Sequence, residues 1–190
     1  MPALIEGLGY TRGPDGGFRS PESGQRLAVE IRAGVGLDIQ QKSLFSVTDY
    51  WQRLGLAAEP VVVPTQRALD REWVANFPAS YLYRQPNDLN SVKRYHGSQS
   101  RIAEKNYVGN NYNRYMNPEY DALIDRFLTT IPRSERIHTL GQIVHQMTDQ
   151  VLLMGLFYDT EATMISNRLS NVAKLSRSNM SWNAHEWELR

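Results

Sequence analysis

The sequence predicts an α/β fold, on three observations. Leu27, Val29, Ile31 and Ala33 alternate with Ala28, Glu30 and Arg32, the two-residue period of a strand. Leu44, Val47, Trp51 and Leu54 then recur at spacings of three and four, an amphipathic helix that Asp38 can cap and Gly55 can close. Val61 to Val63 follows as a β-branched run bounded by Pro60 and Pro64. Strand, helix and strand in this order argue for an α/β layer rather than a bundle or an all-β sandwich.

The elements follow in order. Ala3, Leu4, Ile5 and Leu8, with Gly9 behind them, read equally as the last turns of a helix that begins in a larger fold or as a short N-terminal helix of its own, closed in either case by a glycine cap. From Thr11 to Gly24, glycines and prolines crowd a polar loop that cannot sustain a helix. After the first strand, helix and second strand, Thr65 is placed to cap a helix carrying Ala68, Leu69, Trp73 and Val74. Phe77 to Tyr83 is the third strand. Arg84 to Met116 is a long polar stretch dense in tyrosine and asparagine; its tyrosine content argues against disorder.

Asn117-Pro118 starts the next helix, with Asn at the cap, Pro at the first helical position and Glu119 near the positive end of the dipole. Tyr120, Leu123, Ile124, Phe127 and Leu128 form its apolar face, and Pro132 ends it. Ser134 is expected to cap a further helix with Ile137, Leu140, Val144 and Met147 on one stripe. Val151 to Tyr158 then reads as a buried strand, and Thr163 to Ile165 as another.

Composition excludes several classes of function. The 21 basic and 20 acidic side chains leave a net charge of +1, so no long-range field gathers nucleic acid or an anionic membrane surface. The longest apolar run, Val151 to Tyr158, is far shorter than the ~20 residues of a spanning helix. There is no cysteine, which removes disulfides, thiolate nucleophiles and Cys-ligated zinc. The opening Met-Pro-Ala-Leu-Ile-Glu lacks the charged and apolar regions of a secretion signal.

The constellations that could carry chemistry are sparse. His138 and His145 share a helix face but lie about 10.5 Å apart along the axis, too far for one zinc. No nucleophile elbow, phosphate-binding lysine loop or dinucleotide fingerprint is present. Asp121 and Asp125 could form a carboxylate pair, though residues so spaced more often make a solvated helix face. The expectation is therefore no enzyme, no metal and no cofactor. Asparagine amides and tyrosine hydroxyls supply donors and acceptors without net charge, and phenol rings stack on flat ligand parts, so the stretch after the third strand suits a polar ligand cleft.

One segment is informative as a whole. Asn106-Tyr107-Val108-Gly109-Asn110-Asn111 through Arg114-Tyr115-Met116-Asn117-Pro118-Glu119-Tyr120-Asp121 resembles a stretch of the family 5 extracellular solute-binding proteins, the oligopeptide, dipeptide and nickel receptors of bacterial ABC importers. Ile131 to Arg136 resembles that family's short linker, Gln142 to Asp149 its next helix, and Val151 to Tyr158 the strand after it. Upstream, Ala3 to Tyr10, Gly13 to Gly24 and Leu27 to Ile31 resemble its helix, glycine-rich loop and first strand. The sequence departs from the pattern at Gly155, near which a proline is usual, at Pro78, where an acidic residue is common, and at Arg84 and Gln85, near which an aromatic is frequent.

The resemblance implies the C-terminal part of a two-lobed molecule: a lobe of a type II periplasmic binding protein, with a mixed β-sheet and flanking helices. Residues 1–165 would form the second lobe, and residues 166–190 would return toward the missing N-terminal lobe. It implies capture of a peptide or similar small polar solute between lobes, delivery to a membrane permease, and a periplasmic or extracellular location for the full-length protein. By position relative to the family, the cleft residues are Tyr81, Tyr83, Arg84, Gln85, Asn87, Asp88, Asn111 and Tyr115. Self-association of the isolated lobe is expected. Two rival readings are a stand-alone interaction module and a hydrolase-like domain using Asp121, Asp125 and a histidine.

Overall fold

The computed structural model describes residues 2–36, 38–85, 88–160, 164–173 and 181–190. The chain divides into two compact units, residues 1–85 with 97–114 and residues 86–96 with 115–190.

The first unit is built on a parallel sheet. Helix α1 (Pro2–Gly7) stops at Leu8 and Gly9, the glycine at φ +93°, and buries none of its side chains. Strands β1 (Thr11–Arg12) and β2 (Phe18–Arg19) pair antiparallel. Phe18 is fully buried, its amide donates to the Gly55 carbonyl, and the Arg12 guanidinium lies 4.5 Å from its ring centroid. Gly55, at φ +113°, cannot be replaced cheaply: a Cβ there would stand 2.7 Å from the Gly16 carbonyl oxygen.

Strand β3 (Ala28–Ala33) leads through α2 (Asp38–Leu54) to β4 (Ala57–Val62), and β5 (Ser80–Leu82) completes the sheet. The order is β4-β3-β5, with both pairs parallel and Ile31 opposite Pro60 on one side and Ser80 on the other. The second strand is thus longer than expected and contains Pro60, which an edge strand can carry. Ile31, Ala33 and Leu44 form the core, with Val29, Val47, Trp51, Val62 and Leu82 packed around them.

The alternation in β3 fails at Arg32, which is 7% exposed. Its guanidinium lies 4.0 Å from the Trp73 ring centroid, donates to the Trp73 carbonyl at 2.8 Å and pairs with Glu30. A central strand is covered on both faces, and a stacked, hydrogen-bonded arginine is the form in which a cation tolerates that position.

The helix expected from Thr65 is divided. A 3-10 turn at Thr65–Arg67 has no side-chain cap, and α3 (Arg71–Ala75) begins instead at Asp70, whose carboxylate accepts from the Trp73 amide at 3.0 Å. Asp70 is the stronger cap within the same stretch, and it resets the helix start.

The second unit is helical. A 3-10 helix at Leu89–Tyr95 is capped by Asp88. Asn117 caps α4 (Pro118–Thr129) by accepting from the Glu119 and Tyr120 amides, with Pro118 in the first turn, as the sequence predicts. Asn117→Ala should cost about 1 kcal/mol, read as a lowered denaturant midpoint at unchanged slope.

Helix α5 (Arg133–Asp149) begins one residue before Ser134, and Pro132 occupies the cap position without a side-chain bond, so Ser134 is not the cap. Its buried face is also turned from the expected stripe. Thr139 and Ile143 are buried, and Leu140 and Met147 pack beside them, while Ile137 and Val144 are 56% and 47% exposed. The rotation is fixed by Arg126, which donates to the Thr139 hydroxyl at 3.1 Å and to Gln142 at 3.2 Å. The core joins Tyr95, Tyr120, Ile124, Phe127 and Ile143.

Of the two expected strands, the first is absent among the described residues. Val151–Tyr158 joins no sheet and is largely exposed. Thr163 lies outside the described residues, and Met164 and Ile165 are not in a strand. The C-terminal part instead carries a small antiparallel pair, β6 (Leu169–Ser170) with β7 (Glu188–Leu189). Asn183, 2% exposed, pins it by donating to the Asn171 carbonyl at 2.8 Å and accepting from the Trp187 indole at 2.9 Å.

Candidate functional site

Strand β3 is central, and the chain runs from it to β4 on one side and then across to β5 on the other. This is a reversal of strand order, and in open α/β sheets ligands bind beyond the carboxyl ends of the strands at such a reversal. Tyr81 lies on β5, and Tyr83, Arg84 and Gln85 leave its carboxyl end. The Tyr81 hydroxyl is 3.6 Å from where a Cβ on Gly34 would stand, which places it at the end of β3.

The rings are organised around a residue that the sequence reading passed over as a site residue. Tyr112 lies with its centroid 5.8 Å from that of Tyr81 and 5.3 Å from that of Tyr83, and Phe77 extends the row at 5.7 Å from Tyr81. The Arg101 guanidinium sits 3.8 Å from the Tyr112 centroid and donates to the Gly109 carbonyl at 2.8 Å. The Gln85 amide donates to the Tyr83 hydroxyl. Burial, reinforced by Tyr112, pushes the Tyr81 phenol above its ordinary range, so it stays a donor through neutral pH. The cluster offers flat faces, phenol donors and guanidinium groups, the equipment for a polar or planar ligand part.

The loop bearing Tyr112 is braced. Asn111 is 1% exposed, its backbone pairs with Ser100, and its amide donates to the Ser100 hydroxyl at 3.2 Å. Tyr107 donates to Glu72 at 3.0 Å, and Arg114 to Asn76 at 2.7 Å. Gly109 stands at φ +149°, and a Cβ on it would lie 2.0 Å from the Gln99 carbonyl oxygen.

The predicted cleft residues therefore fall in different places. Tyr81, Tyr83, Gln85 and the exposed Arg84 gather at the carboxyl end of β5, and Asn111 braces the adjoining loop. Asn87 lies outside the described residues. Asp88 and Tyr115 belong to the second unit. Asp88 accepts from the Ser91 amide at 2.9 Å, and the Tyr115 hydroxyl accepts from Asn117 and Gln146 while its ring meets Tyr120 edge-on. Tyr112 was visible only as one tyrosine among several; the pairing of Tyr81 with Tyr83 at a two-residue spacing was the available signal for a row of rings. Nothing local pointed to Arg101.

The second unit also holds His96, with its ring nitrogens 4.0 Å from Asp121 and 3.6 Å from Asp125, beyond hydrogen-bond length. Among the described residues no group of three histidine, cysteine, aspartate or glutamate side chains could hold a metal ion, and no helix is long and apolar enough to cross a membrane.

No protein-family profile and no curated protein matches the chain. Solved structures do. NikZ from Campylobacter jejuni, in complex with Ni(L-His), superposes at a TM-score of 0.73 and 16% identity over 98% of this chain and 38% of its own. The oligopeptide-binding protein AppA from Bacillus subtilis, in complex with a nonapeptide, gives 0.69 and 15% over 100% and 36%. A periplasmic oligopeptide-binding protein of Thermotoga maritima gives 0.65 and 16% over 80% and 29%. The fold matches a fragment of the type II periplasmic binding protein fold. This chain spans little more than a third of the length of the first two structures. The Bacillus subtilis and Thermotoga maritima proteins are oligopeptide-binding proteins by name.

Proposed function

We propose that this chain is the C-terminal part of a family 5 solute-binding protein and supplies one wall of a cleft that captures a peptide or similar small polar solute for an ABC importer. Residues 1–165 serve as the second lobe, and residues 166–190 return toward the first. Tyr81, Tyr83, Arg84, Gln85, Asn87, Asp88, Asn111 and Tyr115 line or brace the cleft, Tyr112 and Arg101 with them. The full-length protein works in the periplasm or outside the cell and hands its load to a membrane permease. The single observation that carries this reading is the tyrosine row at the carboxyl ends of β3 and β5, where the strand order reverses.

Capture of this kind closes two lobes on the ligand, and contacts made only in the closed form supply most of the affinity. The 190-residue chain should therefore give no resolvable heat with a mixture of tri- to pentapeptides in calorimetry. A micromolar dissociation constant for this chain would overturn two-lobed capture. In the native organism, antibody against the chain should detect an exported band near the size of the matched structures; a band at the size of this chain alone would turn the reading toward a stand-alone interaction module.

A further inference from the structure

Charge is balanced unevenly around the tyrosine row. Arg32 stands beside Tyr81 across the β3–β5 pairing, but its cation is already met by Glu30. Arg101 has no such partner: among the described residues no carboxylate pairs with it. It is half-buried, its guanidinium is stacked on Tyr112, and its Nε–H is spent on the Gly109 carbonyl. Stacking occupies the face of the guanidinium and leaves its edge, with the N–H donors of the terminal nitrogens, for another group.

The hydroxyls of Tyr81 and Tyr112 likewise make no hydrogen bond among the described residues. The charged groups that act on the Tyr81 phenol are Arg101 and Arg32, with no carboxylate among them. The Tyr81 and Tyr112 ring centroids are 5.8 Å apart, and the Arg101 guanidinium lies 3.8 Å from the second of them. Two neutral donors and one unmatched cation are thus gathered on one row of rings, a set that lacks only an acceptor carrying charge.

We propose that Arg101 sets the charge preference of this site, and that the favoured solute carries a single carboxylate, taken by the Arg101 edge and the phenol hydroxyls beside it. The assignment rests on the solute-capture reading for the place of the ligand and adds the charge that ligand carries. One unmatched guanidinium answers one negative charge, so a dianion such as inorganic phosphate would keep part of its charge unpaired. A carboxylate meets a guanidinium edge in its plane through two parallel N–H bonds, which a neutral amide cannot reproduce. A cationic solute would be repelled and would leave Arg101 half-buried without a counter-charge, so the same residue works against the wrong partner.

The probes are benzoate, benzamide and benzamidine, one ring bearing a negative, neutral or positive group. Weak binding to an open wall is read by nuclear magnetic resonance of the 190-residue chain at millimolar probe. Benzoate should move the Arg101 Nε–H signal and the Tyr81 and Tyr112 ring signals, and should bind about tenfold more tightly than benzamide, with benzamidine weakest. Arg101→Met should bring benzoate down to the level of benzamide. Arg53→Met, the same change of charge at an exposed position on α2, should leave the preference intact. Because Arg101 also holds Tyr112, Tyr81→Phe serves as a second variant: it keeps the ring and should narrow the gap between benzoate and benzamide. Three probes that bind the row equally, inorganic phosphate that outbinds benzoate, or an undiminished preference in Arg101→Met would overturn the charge assignment and leave the site standing. Probes that move none of these signals would overturn the assignment and the capture reading together.

Discussion

Gly109→Ala should destabilise the first unit by about 3 kcal/mol or more, visible as a large fall in the denaturant midpoint. Two effects add at this residue. Its φ of +149° lies in a region that only glycine enters without strain, and the added Cβ would stand 2.0 Å from the Gln99 carbonyl oxygen. That oxygen accepts from the Asn111 amide, so relieving the clash breaks the pairing that holds the loop closed. The Gly109 carbonyl also receives the Arg101 side chain that stacks on Tyr112. Loss of stability should therefore come with altered near-ultraviolet tyrosine dichroism. A variant with wild-type stability would refute the tight geometry of this loop. Gly141→Ala is the matched control: a Cβ there meets nothing within 4 Å, and alanine favours a helix, so stability should hold or rise by about 1 kcal/mol.

Tyr120 carries the second large effect, and it divides by substitution. The side chain is fully buried at the centre of the helical core, among Tyr95, Ile124, Phe127 and Ile143. Truncation to alanine should cost about 3–5 kcal/mol, as aromatic deletions in cores do. Its hydroxyl is buried and has no hydrogen-bond partner among the described residues. Tyr120→Phe therefore removes a desolvated polar atom while keeping the ring, and should be neutral or stabilising by about 1 kcal/mol. A loss of stability in the phenylalanine variant would show that the hydroxyl is satisfied in solution.

The same residue governs behaviour at high pH. Burial, with Tyr95 and Tyr115 nearby, holds the Tyr120 phenol protonated well above the ordinary tyrosine range. The unfolded chain releases that proton near pH 10, while the folded state still holds it. The stabilising contribution is thus complete below about pH 10 and declines as pH climbs beyond it. Tyr81 is shifted in the same direction. Urea midpoints should be flat through neutral pH and fall above pH 10, less steeply in Tyr120→Phe. An equal slope in the variant would assign the alkaline loss to other groups.

Much of this architecture was legible because its signals are local. The alternation of Leu27 to Ala33, the three-and-four spacing of Leu44 to Leu54 and the Asn117-Pro118 start each state their element within a few residues. What misled were features settled by distant neighbours. Arg32 looks solvent-facing until β4 and β5 flank its strand and Trp73 covers its guanidinium. The face of α5 is set by an arginine on α4. Val151–Tyr158 has the composition of a buried strand, yet composition cannot supply the strands that would bury it. At the candidate site, Tyr81 and Tyr83 were named from the family resemblance, and the structure places them on β5 and just beyond its carboxyl end. Tyr112 and Arg101 reach them through a loop whose path depends on left-handed residues at Asn106 and Tyr107.

The interleaving of the two units bears on how the molecule is made. Residues 1–85 hold the whole parallel sheet, yet their unit also includes residues 97–114. Tyr107 and Arg114 return to bond Glu72 and Asn76. A nascent chain leaves the ribosome from its N-terminus, so the sheet emerges first and waits, while residues 86–96 pass by, for the segment that braces its ring-bearing edge. Neither unit can be liberated by cutting the polypeptide at a single point. The tyrosine row is thus among the last parts of the first unit to be assembled, and a synthesis pause before Arg114 would leave an otherwise complete sheet with its ring-bearing edge unbraced.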